Sequence, residues 1–175
     1  AGDNDFLIRP ELIGTATGQP VDRYFRQPTP GAVNAGGALG FVADTKFSLP
    51  PVSKFERTSN CVTNRDLNIV LMLGHMHEFG EEFTLDRVDE KGQVIENLIH
   101  NKWEQAFTSH PPLRTWSSDN PLKLPKGTRL RQTCKWNNTS QDSLGFPREM
   151  CVAFAFYYPD DGFLECDIET PAVKD

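Results

Sequence analysis

An antiparallel β-sandwich or jelly roll, all-β throughout, is the fold this sequence predicts, and three observations predict it. Short apolar or alternating runs recur roughly every 8–12 residues. Thirteen glycines and 13 prolines fall largely between those runs, as turns require. No stretch keeps a helical period long enough to build a helix, while 12 Phe, 3 Trp and 3 Tyr supply the ring-rich composition that pleated surfaces favour. A chain of 175 residues is one domain on this reading, large enough to bury its own core.

Taken in order, residues 1–45 form a Gly/Pro-rich lead-in that packs on a core built by residues 46–175. Within it, Val21 to Arg26 reads as a strand and Gly31 to Gly40 as an open loop. Leu49-Pro50-Pro51 is extended or turning, because the residue before a proline is kept out of the helical region. Leu67 to Leu73 is almost continuously apolar, which predicts a central strand covered on both faces. Phe83 to Val88 alternates, and Asp89-Glu90-Lys91-Gly92 turns it into Val94 to His100 as a hairpin. Trp103 to Phe107 and Leu113 to Trp116 are short aromatic pieces, and Leu124-Pro125-Lys126-Gly127 turns into a strand over Thr128 to Asn137. A polar loop from Asn138 to Pro147 precedes the longest β-like run, Glu149 to Tyr158, which Pro159-Asp160-Asp161-Gly162 ends.

A net charge of −6 without a dense Lys/Arg run argues against nucleic acid or an anionic membrane as partner. No run approaches the roughly 18 apolar residues of a membrane span. Cys61, Cys134, Cys151 and Cys166 contain no CxxC pair, which is the wrong spacing for a structural zinc site or a redox dithiol. An even, widely spaced set in a turn-rich chain predicts two disulfides and an oxidising compartment: secreted, periplasmic or extracellular, with any signal peptide already removed. Four buried free thiols are the alternative. Asn137 and Asn138 each begin a glycosylation sequon, which matters only in a glycosylating secretory pathway.

The chemistry concentrates in Gly74-His75-Met76-His77-Glu78-Phe79-Gly80. On a strand, residues i and i+2 share a face, so His75 and His77 can converge on one metal ion, with Gly74 and Gly80 letting the backbone turn away beyond them. The bland alternative is a pair of histidines satisfying local hydrogen bonds. In the last long run, strand parity puts Met150, Val152, Phe154, Phe156 and Tyr158 on one face and Cys151, Ala153, Ala155 and Tyr157 on the other. Cys151 can therefore form a disulfide on one side while the Met150 thioether stays free on the other. Taken alone, Met150 reads as core filler.

Together, Cys61, Gly74-His75-x-His77-x-x-Gly80, Cys134, Glu149-Met150-Cys151, Phe156-Tyr157-Tyr158-Pro159 and Cys166, in that order, resemble the C-terminal domain of the copper type II, ascorbate-dependent monooxygenases. The resemblance covers roughly Phe47 to Cys166 and implies a jelly-roll β-sandwich. It further implies that His75, His77 and Met150 hold one copper ion, with no other catalytic side chain. The reaction it implies uses O2, hydroxylates a substrate C–H bond, and draws electrons from ascorbate or another reductant. The disulfides it implies are Cys134 with Cys151 and Cys61 with Cys166.

Departures from the family pattern narrow that expectation. The full enzymes carry a second copper domain with three histidines, two of them adjacent, whereas this chain has only His75, His77, His100 and His110. A second copper domain or redox partner is implied. The peptide-amidating members anchor a substrate carboxylate through an Arg, an Asn and a Tyr where this chain has Leu73, Val152 and Phe154. Those three positions predict a pocket lining for a small, largely apolar substrate rather than a peptidylglycine. One alternative is a stand-alone protein that binds, stores or delivers copper. The other is a cupin using His75, His77 and Glu81 or Glu82 for Fe, Mn or Zn, which leaves Met150 and the cysteines unexplained and lacks a histidine at Leu130. Glu78, Glu81 and Glu82 read more simply as a solvated turn, and His100 and His110 as structural or surface residues.

Overall fold

The computed structural model describes residues 36–44, 46–158 and 167–169. Among them every sheet pairing is antiparallel and no α-helix occurs. The strands are β1 (Gly36–Asp44), β2 (Ser48–Leu49), β3 (Ser53–Val62), β4 (Leu67–His75), β5 (Gly80–Val88), β6 (Val94–Lys102), β7 (Arg114–Thr115), β8 (Leu122–Leu124), β9 (Arg129–Asn138), β10 (Leu144–Gly145), β11 (Cys151–Tyr158) and β12 (Asp167–Glu169). One sheet runs β1-β11-β4-β7 with β8 also on β4, a second runs β12-β3-β9-β5-β6, and β10 pairs β2 in a small ribbon.

Sequence pattern explains most of these elements. β9 buries every second residue, Leu130, Gln132, Cys134, Trp136 and Asn138, the period-2 signature of a strand with one face inside. β4, near-continuously apolar, lies between β11 and the β7 and β8 strands, and Leu67, Ile69 and Met72 are inaccessible. β5 and β6 form the expected hairpin. Its turn is tied by Asp89 Oδ1, which accepts the N–H groups of Lys91 and Gln93, and Gly92 takes the positive φ of 76° that favours glycine.

Several elements differ from expectation, among them β10, which lies within the expected polar loop Asn138 to Pro147, and β11, which starts at Cys151 and not at Glu149. Residues 36–40, expected in a loop, are strand, because β1 pairs along β11. β3 carries a long strand on few apolar residues: its odd positions Phe55, Ser59 and Cys61 turn inward while Lys54 and Glu56 face out. Gln105–Thr108, inside an aromatic piece, forms a single 3-10 turn. The expected strand Val21 to Arg26 lies outside the described residues.

The two large sheets pack face to face. Phe83 of β5 lies where a Cβ on Gly74 of β4 would have to go, and Cys134 of β9 is disulfide-bonded to Cys151 of β11. The bridge therefore staples one sheet to the other. Closing a loop with a sequence separation of 17, it contributes about 3 kcal/mol. The other implied pair begins at Cys61, which is fully buried, and ends at Cys166, outside the described residues.

A β-bulge in β4 decides which way the end of that strand faces. Leu71 sits opposite Phe156 but Ile69 opposite Tyr157, so Val70 is the extra residue. Ile69, Met72 and Gly74 consequently share the face of Ala155 and Tyr157, the inter-sheet core. Leu71, Leu73 and His75 share the face of Val152, Phe154 and Phe156.

Candidate metal centre

His75 is the last residue of β4, and the chain leaves the sheet through Met76 to Phe79 before entering β5. Met76 is fully buried with the core, so the two histidines flanking it emerge together on the opposite face. His75 is 4% exposed. Its Nε2 lies 3.0 Å from Nε2 of His77, and the rings meet edge to face. The His77 Nδ1 is 2.7 Å from the Arg148 carbonyl oxygen. A carbonyl only accepts, so Nδ1 carries a proton and Nε2 is the ring nitrogen of His77 that faces His75. An outer hydrogen bond that fixes the tautomer is how metal-binding histidines are usually oriented.

The pair fits one metal ion. Two nitrogens each about 2.0 Å from a common ion stand roughly 3.0–3.4 Å apart at ordinary bond angles, and the observed separation is of that size. Val152 of β11 is opposite His75, and Met150 lies two residues before Val152, just outside that strand. Phe154 is opposite Leu73, with its ring 6.0 Å from that of His75. Leu73, Val152 and Phe154 thus share the face of His75, and the first two are nearly inaccessible.

The structure does not bring the cupin carboxylates to the histidines. Glu81 and Glu82 begin β5 instead of lying in a solvated turn, and both are engaged elsewhere. Glu81 pairs with Lys54 at 3.1 Å, and Glu82 pairs with Lys135 at 2.7 Å and His100 at 3.7 Å. Among the described residues no three His, Cys, Asp or Glu side chains cluster at metal-binding distance. A hard oxygen-rich site is therefore not formed, whereas a soft one completed by a thioether is compatible with the geometry. His100 and His110 are exposed, as expected.

Sequence reasoning gave no role to the residues that hold the His77 loop. Glu149 is fully buried and accepts three hydrogen bonds. They come from the backbone N–H of His77 at 3.3 Å and of Phe79 at 3.0 Å, and from the Trp136 indole at 3.0 Å. On the other side of the same turn the His77 carbonyl accepts the Gly80 N–H and the Trp103 indole N–H at 3.1 Å. A Cβ on Gly80 would stand 2.6 Å from the Trp103 ring, so glycine there is a matter of close approach. Gly74 likewise sits inside β4 opposite Ala153 and makes room for Phe83; neither glycine is needed to turn the chain away. One signal was readable: Trp136 is two residues from Cys134, and so on the side of β9 that looks at Cys151.

Burial holds His75 and Glu149 toward their neutral forms. His75 is pushed down to about 3, by desolvation first and by His77 second. Burial pushes the Glu149 carboxyl up, against the hydrogen bonds that favour its charge. A histidine with a depressed folded pKa contributes stability that is present above its unfolded pKa of 6.5 and lost as pH falls toward 3. Metal-free protein is expected to be about 2 kcal/mol less stable at pH 5 than at pH 7 through His75. Urea unfolding at the two pH values checks this, because His75→Asn should remove most of the difference; an equal difference in the variant would assign it elsewhere.

Over residues 35–173 the chain matches the sequence model of the copper type II ascorbate-dependent monooxygenase C-terminal domain. Among curated proteins no match was found. The match spans most of the chain, both large sheets and the whole His75–His77 and Glu149–Cys151 constellation. The chain therefore belongs to the copper type II ascorbate-dependent monooxygenases, whose C-terminal, copper-binding catalytic domain it represents.

Proposed function

We propose that this domain, on a jelly-roll framework with a second disulfide between Cys61 and Cys166, binds one copper ion through His75, His77 and Met150. On this reading it is the oxygen-activating half of a monooxygenase. The observation that carries the reading is the convergence of the two Nε2 atoms, 3.0 Å apart, on the face of Val152, two residues along the chain from Met150. Two neutral imidazoles and a thioether form a soft donor set suited to Cu(I). When bound, copper in such a set supplies O2 activation and abstraction of a substrate hydrogen atom. His77 is oriented for this by the Arg148 carbonyl, and His75 is kept neutral by burial.

Leu73, Val152 and Phe154 line the approach on that face and offer no charge or hydrogen bond to a carboxylate. They support a small, largely apolar substrate. The electrons come from ascorbate or another reductant through a second copper domain or redox partner, since this chain has four histidines and no adjacent pair. The disulfide between the sheets supports an oxidising, extracytoplasmic location.

X-ray absorption of the Cu(I)-loaded domain tests the ligand set. Two nitrogens and one sulfur are expected, and Met150→Leu should lose the sulfur and weaken Cu(I) binding by about 10-fold or more. Unchanged affinity and scattering in Met150→Leu would make Met150 core filler. If copper-loaded protein with ascorbate consumed O2 no faster than free copper, the binding, storage or delivery reading would replace the hydroxylase.

A further inference from the structure

Three side chains alternating along the inward face of β9 reach across to the segment that carries Met150. Gln132 donates its Nε2–H to the Cys151 carbonyl at 2.9 Å and lies 3.1 Å from the Cys151 sulfur. Cys134 is bonded to that sulfur. Trp136 donates its indole N–H to Glu149. The residues on both sides of Met150 are thus fixed to one rigid strand of the opposite sheet. Glu149, just before β11, takes hold of His77 and Phe79 by their backbone N–H groups.

We propose that Glu149 is the positioning residue of the copper centre: its carboxyl sets the spacing between the His77 turn and the segment bearing Met150, with Trp136 as its fixed support. The inference rests on Met150 being a ligand, as proposed above. The Glu149 carboxyl is taken up by the His77 and Phe79 amides and the Trp136 indole, so it acts through the backbone on either side and not as a ligand. Its recorded donors are two amides of the metal loop and one indole. A carboxyl confined with neutral donors in a core is a costly way to fill space, since apolar packing at the same volume is usually at least as stable. What the carboxyl adds is a fork whose two oxygens register two chain segments separated by 70 residues or more. Phe47 stacks on Trp136, with ring centroids 4.9 Å apart, and so packs the indole in place.

The test compares three variants of the whole domain. Glu149→Gln keeps one accepting oxygen but aims an amide N–H2 at donors, so it cannot satisfy both ends of the fork. Trp136→Phe leaves the carboxyl in place and removes only its support. Leu98→Ala, in β6 at the edge of the sheet that carries Trp136 and fully buried, is a control that lowers stability without removing any of the hydrogen bonds of Glu149. Cu(I) affinity should fall about 10- to 100-fold in Glu149→Gln and less in Trp136→Phe. In both, the copper–sulfur scattering should weaken while the two-nitrogen contribution remains, whereas Leu98→Ala should keep wild-type affinity and scattering. Should Glu149→Gln not fold, Trp136→Phe decides the matter by the same readouts. Wild-type affinity and sulfur scattering in the folded Glu149 or Trp136 variants would overturn the proposal, as would an equal loss in Leu98→Ala. Absence of copper–sulfur scattering in the wild type itself would instead overturn the Met150 assignment, and this inference with it.

Discussion

Copper(I) titrated against a competing chelator is expected to bind His77→Ala protein at least about 100-fold more weakly than wild type, with the fold retained. The two effects separate because the ring and the backbone of His77 do different things. The ring contributes one nitrogen facing His75 and one N–H to the Arg148 carbonyl. The backbone N–H and C=O hold the turn through Glu149, Gly80 and Trp103, and alanine keeps both. Losing two partly exposed ring hydrogen bonds costs about 1–2 kcal/mol of stability. Losing one of two nitrogen donors removes most of the affinity. If the variant bound Cu(I) as tightly as wild type, the histidine pair would be no more than a local hydrogen bond.

A methyl group at position 74 is expected to destabilise the domain by about 3 kcal/mol, near the upper end for overpacking. The Cβ of Gly74→Ala would stand 2.3 Å from Cδ1, 2.5 Å from Cε1 and 2.7 Å from Cγ of Phe83, a ring with no exposed surface and no space to retreat into. Since Gly74 immediately precedes His75 and pairs with Ala153, any relief by moving β4 also moves the first proposed ligand. Weaker Cu(I) binding should therefore accompany the loss. Urea unfolding gives the stability change as a shift in midpoint at constant m. The mechanism has its own check: Phe83→Leu, itself a core truncation, should restore part of the loss when combined with Gly74→Ala. Strictly additive effects would place the strain elsewhere.

Much of the molecule can be read from the chain. The period-2 burial of β9, the central place of β4 in its sheet, the β5–β6 hairpin with its Asp89 turn and the two faces of β11 all follow from alternation and turn chemistry, which are local properties of the backbone. The spacing of His75 and His77 and the pairing of Cys134 with Cys151 through the family resemblance were legible for the same reason. β3 was not, because its inward positions include Ser59 and few large apolar groups, so local hydrophobicity gives no alternation to see. The reading of Gly74 and Gly80 as turn residues failed because what they accommodate, Phe83 and Trp103, comes from other strands.

By itself the sequence determined that the chain is an antiparallel all-β domain carrying an HxH pair. Tertiary structure alone decided the rest. The bulge at Val70 turned the end of β4 so that His75 faces Val152 and Phe154 and not the core. The packing of one sheet on the other brought Trp136 and Glu149 behind the His77 loop. Side-chain alternation is set by each residue's own bond geometry, whereas a bulge and an inter-sheet contact depend on partners tens of residues away, whose register no local pattern encodes.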